Sequence, residues 1–528
     1  MRGASYTIIF ACVYTALGLV TLTYTGFRQK NGQIAGVAVM PPLSTGGALF
    51  RALKLSFRNS FLYRGFGVAL PDGPQVDNTS QFLQGVPHRQ HPGILKLKKV
   101  TLPPNVIDGA QVLVQKCSIT RLEERCHALT HYLWSRKRPV EDRELQSRAI
   151  ELEKRLRVKM APHSSQDLQA DKSEEALKEA LKQSVMATLR KNIYHWQQLR
   201  YDKELGVLYL AARFAGVHAA VSRAFHEIRK RVPEFSPQTL LDFGSGTGSV
   251  TWAAHAAWGR SIREYMCVDS SAEMNELSEL LLRGGSLSHD ARMPGVYFRQ
   301  FLPVSPKVGY DLVVSAYSLN ELPSQQDRTQ MIQTLWRKTD GFLVLIENGT
   351  KEGHQMLMEA RDAILKLDEE QENKVNRGGH IFAPCPHSLP CPLLAKTHIV
   401  PCNFIQAYQP LPFSWNPNTM WEKFSFLIMR RGPGEDVEQW PRITQPVLRR
   451  PRHVHCRICC PDGMLQHMVV TAHRHGRDLY RCARNSEWGD RLPMIIPSGD
   501  AESVVDDTTP GSLQNVCLHE NQPPSSLT

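Results

Sequence analysis

Two groups of residues in this 528-residue chain have types and spacings that could do chemistry. The first is Leu240-Leu241-Asp242-Phe243-Gly244-Ser245-Gly246-Thr247-Gly248-Ser249. Two apolar residues and an Asp end a buried strand. Three glycines at alternate positions then turn the chain, and a small-residue run from Ser249 to Trp258 reads as the next helix. Glycine permits positive φ and lets the backbone approach a ligand closely. The helix N-terminus adds free N–H groups and a partial positive charge. Together they suit a nucleotide-type ligand; a glycine-rich turn of some other α/β fold is the bland alternative.

The second group is cysteines. Cys385-Pro386-His387-Ser388-Leu389-Pro390-Cys391 is followed by Cys402, then by Cys456-Arg457-Ile458-Cys459-Cys460. Thiolates bind zinc or iron–sulfur clusters well. A zinc ribbon prefers two closely spaced pairs, and the first pair here is separated by five residues. Irregular all-cysteine spacing fits a cluster at least as well as zinc; reduced free thiols are the alternative. Three cysteines precede the last predicted strand and three follow it, so a shared metal centre would staple the C-terminal segment to the sheet domain.

These residues need a frame. Strand and helix patterns alternate after the glycine loop, as a doubly wound α/β sheet requires. Glu264 to Asp269 reads as the second strand, Gly295 to Arg299 as the third, Tyr310 to Ser318 as the fourth and Phe342 to Gly349 as the fifth. Lys423 to Met429 reads as an antiparallel edge strand. Asp269 follows the loop at the distance where an acid accepts hydrogen bonds from ribose hydroxyls; capping the next helix is its other role. Ser315 ends the fourth strand at the cleft. The turn after it, Ser315 to Leu322, holds no Pro-Pro pair and no cysteine nucleophile. No catalytic residue is assigned, and Asn320 and Glu321 read as helix caps.

Around this core, residues 1–75 read as a mitochondrial targeting leader, because no Asp or Glu occurs before Asp72 while Arg recurs. Tyr6 to Tyr24 is uncharged and about long enough to span a bilayer, but the leader composition favours import over a stable membrane insertion. Residues 76–118 read as an extended arm. Residues 119–232 read as helices covering the cleft, with Arg223, His226 and Arg229 on one solvated face. The sheet domain runs over 233–431 with a cysteine insertion at 378–402. Residues 432–495 form a basic extension. Residues 441–484 hold nine Arg, no Lys and two Asp, which suits phosphate forks and, with Tyr480, base stacking in RNA. Residues 496–528 read as a disordered tail. The net charge of +12 agrees with an anionic partner.

The glycine loop with its strand-end Asp resembles the first motif of class I S-adenosylmethionine (SAM) methyltransferases. Together with Pro87-His88-Arg89-Gln90-His91-Pro92-Gly93, Phe382-Ala383-Pro384-Cys385-Pro386-His387 and Arg452-His453-Val454-His455-Cys456, the chain resembles the family of mitochondrial small-ribosomal-subunit assembly factors over roughly residues 75 to 495. That resemblance implies a class I methyltransferase-like (Rossmann-like) fold whose members have lost turnover; an active rRNA methyltransferase is the alternative. It implies SAM held by Asp242, Gly244, Ser245, Gly246, Gly248, Asp269 and Ser315. It implies a [4Fe–4S] cluster, with zinc as the alternative, on Cys385, Cys391, Cys402 and Cys459; Cys456 and Cys460 stay open for the last place. It implies a monomer in the mitochondrial matrix that docks on rRNA and proteins of the small mitoribosomal subunit beside other assembly factors.

Overall fold

The computed structural model describes residues 87–160, 170–192, 196–305, 307–369, 378–396, 399–434 and 439–494. The expected leader, the Tyr6–Tyr24 stretch and the expected tail lie outside the described residues.

The helical region comprises α1 (Pro104–Cys117), α2 (Leu122–Ser135), α3 (Asp142–Met160), α4 (Ala170–Asn192) and α5 (Lys203–Arg231). The sheet domain follows as β1 (Thr239–Phe243), α6 (Ser249–Trp258), β2 (Glu264–Val268), α7 (Ala272–Leu282), β3 (Val296–Arg299), β4 (Tyr310–Ala316), α8 (Gln325–Arg337), β5 (Thr339–Asn348), α9 (Lys351–Glu369), β6 (Gly379–Ala383), β7 (Phe404–Tyr408) and β8 (Met420–Arg431). A C-terminal module adds β9 (Arg442–Ile443), β10 (Leu448–Arg449), β11 (His453–Cys459), β12 (Leu465–Thr471), α10 (Ala472–His475) and α11 (Arg477–Asn485).

The large sheet has the order β3-β2-β1-β4-β5-β8-β6. Strands β1 to β5 are parallel, and their near-continuous apolar runs suit strands covered by helices on both faces. The expected doubly wound α/β sheet is therefore present. One expectation is corrected. β8 is antiparallel but not an edge. It pairs with β5 on one side, and with both β7 and β6 on the other. Its residues Phe424 to Met429 are all buried, which needs neighbours on both sides.

The expected arm is also corrected. Residues 104–117 form a helix started by Pro104 at its first turn, where a missing N–H costs nothing, and it buries Val106, Ala110, Leu113 and Val114. The stretch before it is extended but pinned to the C-terminal module. Asp490 accepts from the amides of Leu95 and Lys96 at 2.7 and 3.1 Å, Arg491 N donates to Gly93 O at 2.8 Å, and His91 Nε2 lies 3.0 Å from Ser486 Oγ.

Side-chain caps start several helices: Asp202 accepts from Leu205 N, Ser271 from Met274 N and Ser324 from Asp327 N. α5 organises the helical region. It is long and apolar enough to cross a bilayer, yet most of it is buried against α6, β7 and β8. Arg223 is corrected from solvated to buried: it sits 3.4 Å from Glu227 inside the protein, and only Arg229 of the expected basic face is exposed.

His218 lies in the same helix, buried, with neither ring nitrogen hydrogen bonded. Burial lowers its pKa to about 4. The folded protein therefore binds fewer protons there than the unfolded chain between about pH 4 and 6.5, and stability is lost as pH falls through that window. His218→Leu should gain stability relative to the parent as pH drops from 6.5 to 4. Denaturant midpoints of both proteins across that range check this, and parallel curves would refute it.

Candidate functional site

The glycine loop leaves β1 with positive φ at Gly244, Gly246 and Gly248. Gly244 N and Ser245 N donate to Val268 O at 2.8 and 3.1 Å. Gly246 N donates to Asp269 Oδ2 at 2.9 Å, and Asp269 Oδ1 accepts from Ser271 N at 3.0 Å. Asp269 thus ties the loop to the end of β2, while Ser271 rather than Asp269 caps α7. A Cβ on Gly244 would sit 2.1 Å from Ser318 Oγ, so only glycine packs there. A Cβ on Gly246 would meet Met274 Cε at 3.5 Å and Tyr209 Cε1 at 4.0 Å, ordinary packing distances, so glycine is required there by its φ rather than by a clash.

Asp242 is fully buried, with Oδ2 accepting from Thr251 Oγ1 at 3.0 Å. Burial pushes its pKa up to about 7. Asp242 Oδ1, Ser245 Oγ, Thr247 Oγ1 and Ser315 Oγ are buried without a hydrogen-bond partner. Such orphaned atoms at the carboxyl ends of β1 and β4 fit a polar ligand there. The helical region closes over them. Tyr209 and Met274 face Gly246, Tyr201 Oη donates to Glu321 Oε1 at 3.2 Å, and Trp196 Nε1 donates to Asn320 O at 3.3 Å.

The turn after β4 is held by its own protein. Tyr317 takes φ +60° and donates through Oη to Glu422 Oε1 at 2.8 Å. Glu422 also receives both Nη atoms of Arg213, at 3.1 and 2.8 Å. Glu347 accepts from Leu319 N at 2.9 Å, and burial pushes its pKa up to about 8. Asn320 and Glu321 lie in a short 3₁₀ turn, correcting their reading as caps; Ser324 caps α8 instead.

The cysteine segment arises from the sheet itself. β6 and β7 pair with successive halves of β8, and the chain between them loops out of the gap. The expected insertion therefore begins with a strand. Cys385, Cys391 and Cys402 on this loop line one cavity with Cys459 from the end of β11. Cys456 and Cys460 lie instead in the apolar core of the C-terminal module with Val454 and Ile458. Side chains alternate along a strand, so Cys456 and Cys459 must face opposite ways.

Burial pushes the Cys385 thiol up to about 11 and the Cys402 and Cys459 thiols well above their usual range. His387 Nδ1 lies 3.1 Å from Leu389 O and its Nε2 3.3 Å from Cys459 Sγ. His354 Nε2 is 3.7 Å from Cys391 Sγ. The guanidinium of Arg361 acts on Cys385 and Cys391; its Nε and Nη2 pair with Asp362 at 2.9 and 2.8 Å, and its Nη1 is buried without a partner. Among the described residues, no three His, Cys, Asp or Glu side chains are grouped to hold a single metal ion. A [4Fe–4S] cluster makes a different demand, because its four thiolates bind four separate irons. Four thiols around one cavity, beside a guanidinium with one unpaired Nη, suit such an anionic group in donor chemistry. The histidine of the Cys-Pro-His run was visible in the sequence, whereas His354 and Arg361 carry no local signal.

The basic extension divides. Arg450, Arg452, Arg457, Arg474, Arg477 and Arg481 are exposed, while Arg442 is buried. Tyr480 is corrected as a stacking residue: its Oη donates to Pro451 O at 3.2 Å and Arg484 covers its ring.

Residues 203–493 match the family model described as mitochondrial small ribosomal subunit Rsm22. The human ribosome assembly protein METTL17, mitochondrial, is 57% identical over 84% of this chain and 94% of its own length. The ribosome assembly protein RSM22, mitochondrial, of Saccharomyces cerevisiae is 22% identical over 53% of this chain and 66% of its own. Among solved structures, magnesium protoporphyrin IX methyltransferase from Synechocystis PCC 6803 matches with a TM-score of 0.26 and 13% identity, covering 51% of this chain and 100% of that one.

Proposed function

Because the chain belongs to the Rsm22 family of the mitochondrial small ribosomal subunit, we propose that it is an assembly factor for that subunit in the mitochondrial matrix. In this reading it docks SAM at the glycine loop, carries a [4Fe–4S] cluster and contacts rRNA, without transferring a methyl group. The observation that carries it is the cavity where Cys385, Cys391 and Cys402 meet Cys459. It lies at the seam between the sheet domain and the basic module. A group bound there would make docking of that module depend on iron supply, because metal-binding free energy becomes folding free energy.

The SAM part is supported by the glycine loop with its positive φ angles and by the orphaned atoms of Asp242, Ser245 and Ser315. Loss of turnover is supported by the turn after β4, which has neither a Pro-Pro pair nor a cysteine and whose Tyr317 hydroxyl is taken up by Glu422. What remains for the chain is to hold the cofactor and present a surface. Held by Cys385, Cys391, Cys402 and Cys459, a cluster would cross-link the two modules.

Gly246→Asn tests this, since Asn tolerates positive φ and places a side chain on the loop between Met274 and Tyr209, where a ligand would approach the backbone. We expect SAM binding by calorimetry to fall at least tenfold. In cells carrying the variant, small-subunit assembly and rRNA methylation are followed together. Assembly defects with every rRNA methyl mark retained support a dock. Loss of one mark, together with methylation of purified RNA by the wild-type protein alone, would establish the methyltransferase instead.

A further inference from the structure

The C-terminal module has two unlike faces. Along β11, Val454, Cys456 and Ile458 point into its apolar core, joined by Met468 and Val470 of β12 and by Leu479 of α11. The alternate residues His453, His455 and Arg457 take the other face, as strand geometry demands. β12 pairs antiparallel with β11, setting Val469 opposite His455 and His467 opposite Arg457. β10 sets Leu448 opposite His455 from the other side. Leu448, Arg457, His467 and Val469 are exposed, and His453 and His455 are partly so.

Solvated faces of antiparallel sheets usually carry mixed charges. This one does not: residues 441–461 and 463–477 contain no Asp or Glu. Its centre is aromatic. The rings of His455 and His467 are stacked, with centroids 5.2 Å apart and planes at 25°, and His455 Nδ1 lies 3.1 Å from His467 Nε2. His453 meets His455 edge-on at 4.9 Å. The exposed Arg450 and Arg452 stand on the turn between β10 and β11.

We propose that this open face binds single-stranded RNA, with unpaired bases stacking on the His455–His467 platform and Arg450, Arg452 and Arg457 meeting the flanking phosphates. The inference rests on the assembly-factor reading and sharpens it, because it separates this face from the Arg residues around Tyr480 and α11. Single-stranded RNA is the occupant that matches the charge and the ring geometry together. An acidic peptide would match the charge alone. A duplex keeps its bases stacked on one another and offers no free faces to the imidazoles.

Fluorescence anisotropy of the full chain with a labelled 12-nucleotide single-stranded RNA, and with the corresponding duplex, tests this. His455→Ala with His467→Ala should weaken single-strand binding about tenfold or more while barely changing duplex binding. His455→Phe with His467→Phe, which keeps the ring faces and removes the ring nitrogens, should retain most of the affinity. Melting temperatures of both variants near that of the parent exclude unfolding as the cause. Unchanged single-strand binding in the alanine variant overturns the proposal while leaving RNA contact elsewhere on the chain intact. Equal losses in the alanine and phenylalanine variants also overturn it, since stacking would then not be the interaction. If the parent binds neither RNA, the RNA part of the assembly-factor reading fails with it.

Discussion

Cys459→Ser should strip the protein of its iron. Anaerobically purified parent is expected to be brown, with about four irons and four acid-labile sulfides per chain. The variant should be nearly colourless, and Cys385→Ser should behave alike, because both thiols line the same cavity. Cys456→Ser and Cys460→Ser provide the contrast. These side chains sit in the apolar core of the C-terminal module, so their replacement should cost about 1–3 kcal/mol for burying a hydroxyl but leave iron in place. Losing the cluster should also loosen the seam, and amide hydrogen exchange in β11 and β12 should accelerate in Cys459→Ser. In cells, this variant should impair small-subunit assembly at least as severely as Gly246→Asn. A colourless parent loaded with zinc would refute the iron–sulfur assignment.

The second large effect belongs to Glu227. It is fully buried in α5 and accepts from Arg442 Nη1 at 3.2 Å, Arg231 Nη1 at 3.1 Å and Arg223 Nη1 at 3.4 Å. Burial opposes its charge, but Arg442 first and Arg223 next outweigh burial and hold the carboxyl well below the usual range. The stability it contributes is present above the ordinary carboxylate pKa and is lost only in strong acid. Glu227→Gln leaves three guanidinium groups around one neutral amide. We expect a loss of about 3–5 kcal/mol, the usual cost of breaking a buried ionic network from one side. Arg442 also donates to Pro384 O beside Cys385 and to Gly489 O, so the damage should spread to the cysteine cavity. Pairing Glu227→Leu with Arg442→Met should cost less than Glu227→Gln alone. Chemical denaturation of the three variants checks the order, and a Glu227→Gln variant as stable as the parent would refute it.

Much of this protein is legible along the chain because its signals are local. Positive φ at alternate positions demands glycine, so Gly244, Gly246 and Gly248 mark the loop wherever the rest of the chain goes. Apolar runs bounded by turn residues mark β1, β2, β4 and β5, since a strand buried on both faces has no solvent side to alternate with. Six cysteines between 385 and 460 announce thiol chemistry by density alone.

Other features depend on what packs against what. Strand alternation separates Cys459 from Cys456, but which parity faces the cysteine loop is known only once the core of the small sheet is known. β8 reads as an edge because a single strand pattern carries no record of its neighbours. Its central place arises from β6 and β7 filling its second side in succession, and the gap between them is what extrudes the cysteine loop. Arg442 reads as part of an RNA-facing basic stretch because the carboxylate that makes its burial tolerable, Glu227, lies 215 residues away; Arg223, four residues from Glu227 on the same helix, reads as solvated because nothing local records what covers that helix face. Tyr480 and the His455–His467 pair exchange roles for the same reason. Composition places aromatic rings in a basic stretch, and only the packing of α11 against β11 and β12 decides which ring is covered and which is open. Local backbone demands are written residue by residue in the sequence. The pairing of charges, the centre of a sheet and the free face of a module are decided by contacts between residues far apart along the chain.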